Sequence, residues 1–375
     1  MWIFVTASLG LMFCSAFLDN TRGPILPLIT ESLKLNYGSS SWFLGAGNIA
    51  GVLCNFLLIP FIKHFQEKKS AVIVCGVALV AVLSTLFVSN FFTLMILGSL
   101  LGITIASLGA VANIILLNSS THEKRSKYMS ALHMMYGIGS VIAPATAAFL
   151  LDSNYHWKQV LQIGIFPIVL VLFFNFKYLK NPISHHEPST QKIPLTYVNW
   201  IAIWAFAIYV AAEVMASNWM VAYLSQKMSI AEASKYLSGF FAMMGITRML
   251  CVLFIKPRYE KIVIYLCLLL FIFFFTLGHL GFLLGFSLCG VLGPYFPVFI
   301  SRLSHYSPKS TNKITLTGLA ISQALLVSSH KTMGLLTDNL GISSSYYFPI
   351  LIMIIALIFT GVYFVEEQRK NLEIS

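Results

Sequence analysis

The 375-residue sequence is 58% hydrophobic and only 10% charged, with a formal net charge of +11 and a mean hydropathy of +0.82. That balance excludes an ordinary soluble domain and a nucleic-acid binder, because too few polar side chains remain to cover a water-exposed surface. Apolar stretches of roughly 17 to 25 residues recur along the whole length, each enough for a helix across a hydrocarbon core about 30 Å thick.

Twelve transmembrane helices are expected, over about 2–30, 40–62, 70–88, 91–117, 129–151, 158–177, 199–224, 234–255, 262–278, 280–300, 314–337 and 346–365. Strand-like alternation is absent, so the fold class is an all-α membrane protein and not a barrel. The first helix starts almost at Met1, with no basic residue ahead of it, and runs through Asp19, Arg22 and Pro24 without a small-residue cleavage site. A removable signal peptide is not expected from that pattern.

Further along the chain, the second helix carries Asn48 and the fourth Asn113; the fifth carries His133 and Tyr136. A proline-bearing polar stretch with Pro182, Pro188 and Pro194 divides the sequence into two sets of six helices. The expected units are therefore 1–177, a connector at 178–198, and 199–375. His185 and His186 fall in this connector and are read as loop residues, since no further ligand is spaced for a metal. In the second half, helix seven carries Glu213, Asn218 and Trp219, helix eight Arg248, and helix eleven Gln323, His330 and Lys331. Lys331 is expected to snorkel towards an interface. The six cysteines all fall within predicted helices and are read as packing residues.

Loop charge sets the orientation. The loops around 63–69, 121–128, 177–192, 256–261 and 302–313 hold three Lys or Arg each, whereas the opposite side holds Lys34, Lys158, Lys227 and Lys235. The positive-inside rule then puts both termini in the cytoplasm and the protein in a cytoplasmic, or inner, membrane.

An internal repeat is visible as well. Asp19 and Glu213 are the carboxylates set deep in apolar runs, and they lie 194 positions apart. Phe61-Ile62-Lys63 with Glu67-Lys68, and Phe254-Ile255-Lys256 with Glu260-Lys261, repeat at an offset of 193. Parallel six-helix repeats about a central site are a transporter architecture. A carboxyl group in lipid costs about 2.5 to 3.5 kcal/mol on insertion scales, so its presence there points to a function.

These features resemble the major facilitator superfamily over nearly the whole chain. Pro60 to Lys69 occupies the place of the family's GxxxDRxGRR loop, of which the closing pair Lys68-Lys69 survives best, while Pro60, His64 and Glu67 replace the first Gly, the Asp and the second Gly. Ser130, Gly139, Ala143, Pro144, Ala147 and Ala148 follow the small-residue spacing of the helix-five motif, which in the family is associated with antiporting exporters. Gly98 stands where many proton-driven members carry an arginine, four residues before Gly102. The segments Asp19-Asn20-Thr21-Arg22-Gly23-Pro24 and Gly290-Val291-Leu292-Gly293-Pro294 are similar to the fucose permease-like sugar symporters. The resemblance implies two pseudo-symmetric six-helix bundles that rock about a midplane site.

On this reading Glu213 and Asp19 are the proton-coupling candidates. Arg22 lies on the face of Asp19, three residues on, and either neutralises it or binds an anionic solute. Arg248 either pairs with Glu213 or recognises a ligand. Asn48, Asn113, Tyr136, Asn218, Trp219, Gln323 and His330 are candidate solute contacts, because hydroxyl-rich solutes need hydrogen-bonding groups beside an aromatic face. Ser130, Gly139, Ala143, Pro144, Lys68 and Lys69 are candidates for gating or packing.

No Walker loop, HExxH or GxSxG motif is present, so neither an enzyme nor a cofactor is expected. The expected partners are a small polar solute, protons or sodium, and the lipid bilayer, with the protein a monomer. Uptake of a sugar-like solute leads; export of a drug-like or siderophore-like compound and a receptor without flux stay open.

Overall fold

The computed structural model describes residues 2–120, 122–180, 194–254, 256–307 and 310–374. His185 and His186, and most of the expected connector, lie outside the described residues. Among those described, the chain is helical and contains no strand.

Ten membrane-length segments are apolar enough by themselves to cross a bilayer. These are α1 (Trp2–Ser32), α2 (Tyr37–Leu58), α3 (Pro60–Phe87), α4 (Phe91–Ser119), α5 (Lys127–Asp152), α6 (Trp157–Tyr178), α7 (Tyr197–Leu224), α9 (Glu260–His279), α10 (Leu284–Tyr306) and α12 (Ile342–Arg369). The helices α8 (Ile230–Phe254) and α11 (Thr311–Leu340) occupy the two remaining expected spans. With twelve crossings, both termini come to one face, called here the terminal end; the opposite face is the far end.

Local sequence explains where helices stop and turn. Asn90 caps α4, its side chain accepting from the Thr93 amide at 3.0 Å while the Thr93 hydroxyl closes back on the Asn90 amide. Continuous helix runs through α2 into α3, from Trp42 to Leu83, and is broken at Gln66, where φ is 61° and ψ is 167°. That left-handed backbone is where the loop after α2 turns. A glutamine there is strained, in the place where the family's loop is built around glycines. Glu67 is tied down by accepting from Asn118 Nδ2 at 2.8 Å, which fastens the turn to α4. Lys68 is half-buried and Lys69 exposed.

Close helix packing follows the glycines. Gly47 and Gly51 on α2 face Gly98 and Gly102 on α4, each pair four residues apart. A Cβ on Gly102 would lie 1.9 Å from the Gly47 carbonyl oxygen, and one on Gly98 2.4 Å from that of Phe43. Such small-xxx-small faces let two backbones touch where lipid supplies no hydrophobic drive for association.

Two apolar cores result. One joins Ile25, Phe43, Leu94 and Trp157 of the first half to Phe206, Trp219, Phe240 and Tyr346 of the second. The other, around Leu11, Leu58, Val74, Ile115 and Leu132, belongs to the first half alone. The first-half members of the shared core lie towards the far end, so the halves are packed together there.

Candidate functional site

The seam between α1 and α5 holds the first carboxylate. Asp19 is near the middle of α1, and its carboxylate forms an ion pair with Arg22. The Tyr136 hydroxyl of α5 donates to the other carboxylate oxygen at 2.7 Å. Beside this pair, Asn20 Nδ2 donates to Ser140 Oγ at 3.0 Å and to the Ala16 carbonyl at 2.8 Å. Gly139 makes the seam possible, since a Cβ there would sit 2.8 Å from Ala16 Cβ. Ala143, Pro144, Ala147 and Ala148 are buried further along the same helix, whereas Ser130 is exposed.

The second carboxylate has a simpler setting. Glu213, near the middle of α7, receives the Tyr209 hydroxyl one turn earlier. Tyr209 is itself stacked on Tyr295 of α10, with ring centroids 3.9 Å apart. The pairing of Glu213 with Arg248 is not formed: Arg248 Nε instead donates to the Gly293 carbonyl at 2.9 Å. The arginine thereby ties α8 to α10. Nearby, a Cβ on Gly290 would lie 2.1 Å from the Phe240 carbonyl oxygen, so the glycines of this segment serve helix contact.

The remaining candidates divide. Asn48 and His330 are buried, with Asn48 Nδ2 and His330 Nε2 lacking hydrogen-bond partners. Trp219 Nε1 donates to His330 Nδ1 at 3.0 Å. Asn218 is buried against α1, its carbonyl oxygen 3.3 Å from where a Cβ on Gly23 would be. Asn113 turns back on its own helix and donates to Gly109 at 2.7 Å, while Gln323 is half-buried. The structure thus brings together Asp19, Arg22 and Tyr136, and separately Trp219 and His330.

Sequence reasoning missed the groups that close the far end. Asp338 of α11 accepts the backbone amides of Tyr37 and Gly38 at 2.8 Å each. Lys331 does not snorkel; it donates to the Gly38 carbonyl at 3.0 Å and lies 5.9 Å from the Trp42 ring centre. Ser238 of α8 donates to the Val141 carbonyl of α5 at 2.8 Å. Tyr37 also packs on Trp219, with centroids 5.8 Å apart. Asp338 and Lys331 are seven residues apart, two helical turns, which puts them on one face; that spacing was the available signal.

Towards the terminal end, the same four helices present apolar side chains openly, including Phe56 and Leu57 of α2, Met134 of α5, Leu253 of α8 and Leu316 of α11. The hydrogen bonds from Asp338, Lys331 and Ser238 close the halves together towards the far end.

The sequence profile described as Major Facilitator Superfamily matches residues 9–329. The chain belongs to the Major Facilitator Superfamily. YaaU of Escherichia coli (strain K12), named for metabolite transport, is 26% identical over 164 residues, 43% of this chain and 36% of that protein. The chain aligns with well under half the length of the curated relatives it matches. Among solved structures, the D-xylose-proton symporter shares the fold with a TM-score of 0.76 at 13% identity, over 96% of both chains. A point mutant of the nucleoside transporter NupG does so with a TM-score of 0.74 at 16% identity, over 96% of this chain and 99% of that one.

Proposed function

We propose that this Major Facilitator Superfamily protein is a secondary transporter of a small polar organic solute, with a sugar-like solute favoured. It works by alternating access and is driven by protons. The observation that carries this reading is the pair of mid-helix carboxylates, Asp19 and Glu213, each held by a tyrosine hydroxyl, in a bundle whose halves are tied together at the far end. A carboxyl group at that depth is costly when charged and unmatched, so taking up a proton is linked to which end is open. Arg22 already matches Asp19, which leaves Glu213 as the leading proton carrier.

The units 1–177 and 199–375 rock about the site, joined by 178–198. Loop charge favours cytoplasmic termini in an inner membrane, which puts the closed far end on the outer side. The protein works as a monomer.

A panel of labelled solutes, tested in proteoliposomes with and without an imposed pH gradient, examines the reading. Glu213→Gln is expected to abolish gradient-driven accumulation while leaving solute exchange between the two sides. If Glu213→Gln and Asp19→Asn both accumulate solute normally, proton coupling through these residues is wrong; accumulation driven by a sodium gradient alone would assign sodium instead.

A second reading, export of a drug-like or siderophore-like compound, is favoured by the close α1–α5 contact at Gly139, which preserves part of the helix-five motif. Solute release driven by an inward proton gradient selects it.

A further inference from the structure

Where α5 ends and α8 begins, the seam between the halves opens into a groove of about 370 Å³. Ala145, Ala148, Phe149 and Asp152 form one wall, a single stripe of α5, and Lys235 and Ser238, one turn apart on α8, form the other. The hydrogen bond from Ser238 to the Val141 carbonyl joins the walls at the deep end, one turn below Ala145.

The groove changes character along its length. Asp152 is the last residue of α5 and Lys235 lies in the second turn of α8, so both charges stand near the level where hydrocarbon gives way to headgroups. Deeper, Phe149 is 71% exposed and Ala145 is exposed beside it, which leaves an apolar surface at hydrocarbon depth. Asp152 and Lys235 face one space without meeting. Among the described residues, neither forms an ion pair or a side-chain hydrogen bond.

We propose that this groove binds one phospholipid of the far-end leaflet whose headgroup is zwitterionic and carries a primary ammonium. The ammonium donates to Asp152, the phosphate accepts from Lys235, and an acyl chain runs along Phe149 and Ala145. Charge selects this lipid over others. An anionic headgroup supplies a partner for Lys235 but sets a second negative charge beside Asp152, and a quaternary ammonium has no N–H to donate. The carbonyls at the end of α5 favour a cation on the same side as Asp152. Because the two charges belong to different halves, the lipid ties α5 to α8 as Asp338 and Lys331 tie α2 to α11. The site requires a membrane-spanning chain and is independent of the transport reading.

The test places the full-length protein in phosphatidylcholine nanodiscs that contain a small fraction of lipid with a photoactivatable diazirine in its acyl chain. The probe headgroup is phosphatidylethanolamine, phosphatidylcholine or phosphatidylglycerol, and labelled peptides are mapped by mass spectrometry. Signals are normalised to Phe166 and Phe173, exposed on α6 away from the groove. Labelling over 145–149 by the phosphatidylethanolamine probe is expected to exceed that by either other probe at least about threefold, the order of one exposed ion pair. Asp152→Asn brings it down to the phosphatidylcholine level and raises labelling by phosphatidylglycerol. Lys235→Gln lowers the phosphatidylethanolamine signal about threefold, through loss of the phosphate contact. Melting temperature identifies a variant that misfolds, and the other then decides.

Equal labelling over 145–149 by the three probes overturns the proposal, as does stronger labelling by phosphatidylglycerol. A phosphatidylethanolamine preference that survives in folded Asp152→Asn, or a signal unchanged in folded Lys235→Gln, does the same. No labelling there by any probe also sinks it, and cross-links between copies of the chain through Phe149 would then assign the groove to self-association.

Discussion

Glu213 and Asp19 are related by the repeat, but their surroundings differ. Asp19 has a cation at contact and a tyrosine from a neighbouring helix, while Glu213 has a tyrosine from its own helix. Tyr209→Phe is therefore expected to leave the fold intact and to shift the pH dependence of accumulation, because a hydrogen bond to the charged carboxylate is lost and its protonation becomes easier. The measurement is initial uptake against pH, with the midpoint moving to higher pH; an unmoved midpoint would separate Tyr209 from coupling. Both carboxylates were legible in the sequence, since charge in an apolar run is conspicuous. Their partners were less so: Tyr136 was named as a solute contact and Tyr209 not at all, because a tyrosine in a membrane helix carries no pattern that shows where its hydroxyl points. Arg248 misled for the opposite reason. A deep cation suggests a carboxylate, yet a backbone carbonyl at the end of a glycine-rich turn satisfied it.

At the scale of helices, the twelve spans were readable from apolar length, and α8 and α11 fall where expected although they carry Arg248, His330 and Lys331. What the sequence concealed was the crossing of α2 and α4. Gly98 and Gly102 drew notice for a missing arginine, whereas their partners Gly47 and Gly51 lie some 50 residues away and reveal nothing until the helices are side by side. Gly102→Leu is expected to force the helices apart and lower stability by about 1–3 kcal/mol or more. Thermal unfolding in detergent reads this directly, with Gly76→Leu, where a Cβ meets nothing within 4 Å, as the control that stays near wild type. The turn at Gln66 offers the converse case: Gln66→Gly relieves a positive φ and is expected to raise the melting temperature.

For the whole molecule, the pseudo-symmetric architecture was inferable from the repeat, but the state of the gate was not, because it depends on contacts between residues some 300 positions apart. Asp338→Ala removes two hydrogen bonds across the far end and Lys331→Met a third. Each is expected to shift the population towards the form open at the far end. Distances between spin labels on α2 and α11 would lengthen at the far end and shorten at the terminal end; no change in either distribution would show that the closure is held elsewhere. The chemistry of this closure has a further consequence. Asp338 and Lys331 grip main-chain amides and a carbonyl, so these three hydrogen bonds do not depend on which side chains the turn carries, while Tyr37 adds a separate contact with Trp219. The exceptions are changes to the backbone itself: proline at position 37 or 38 deletes an amide hydrogen, and any side chain on Gly38 meets Asp338, whose carboxylate oxygen is 2.6 Å from the site of a new Cβ. Two backbone positions thus hold most of the constraint on these hydrogen bonds.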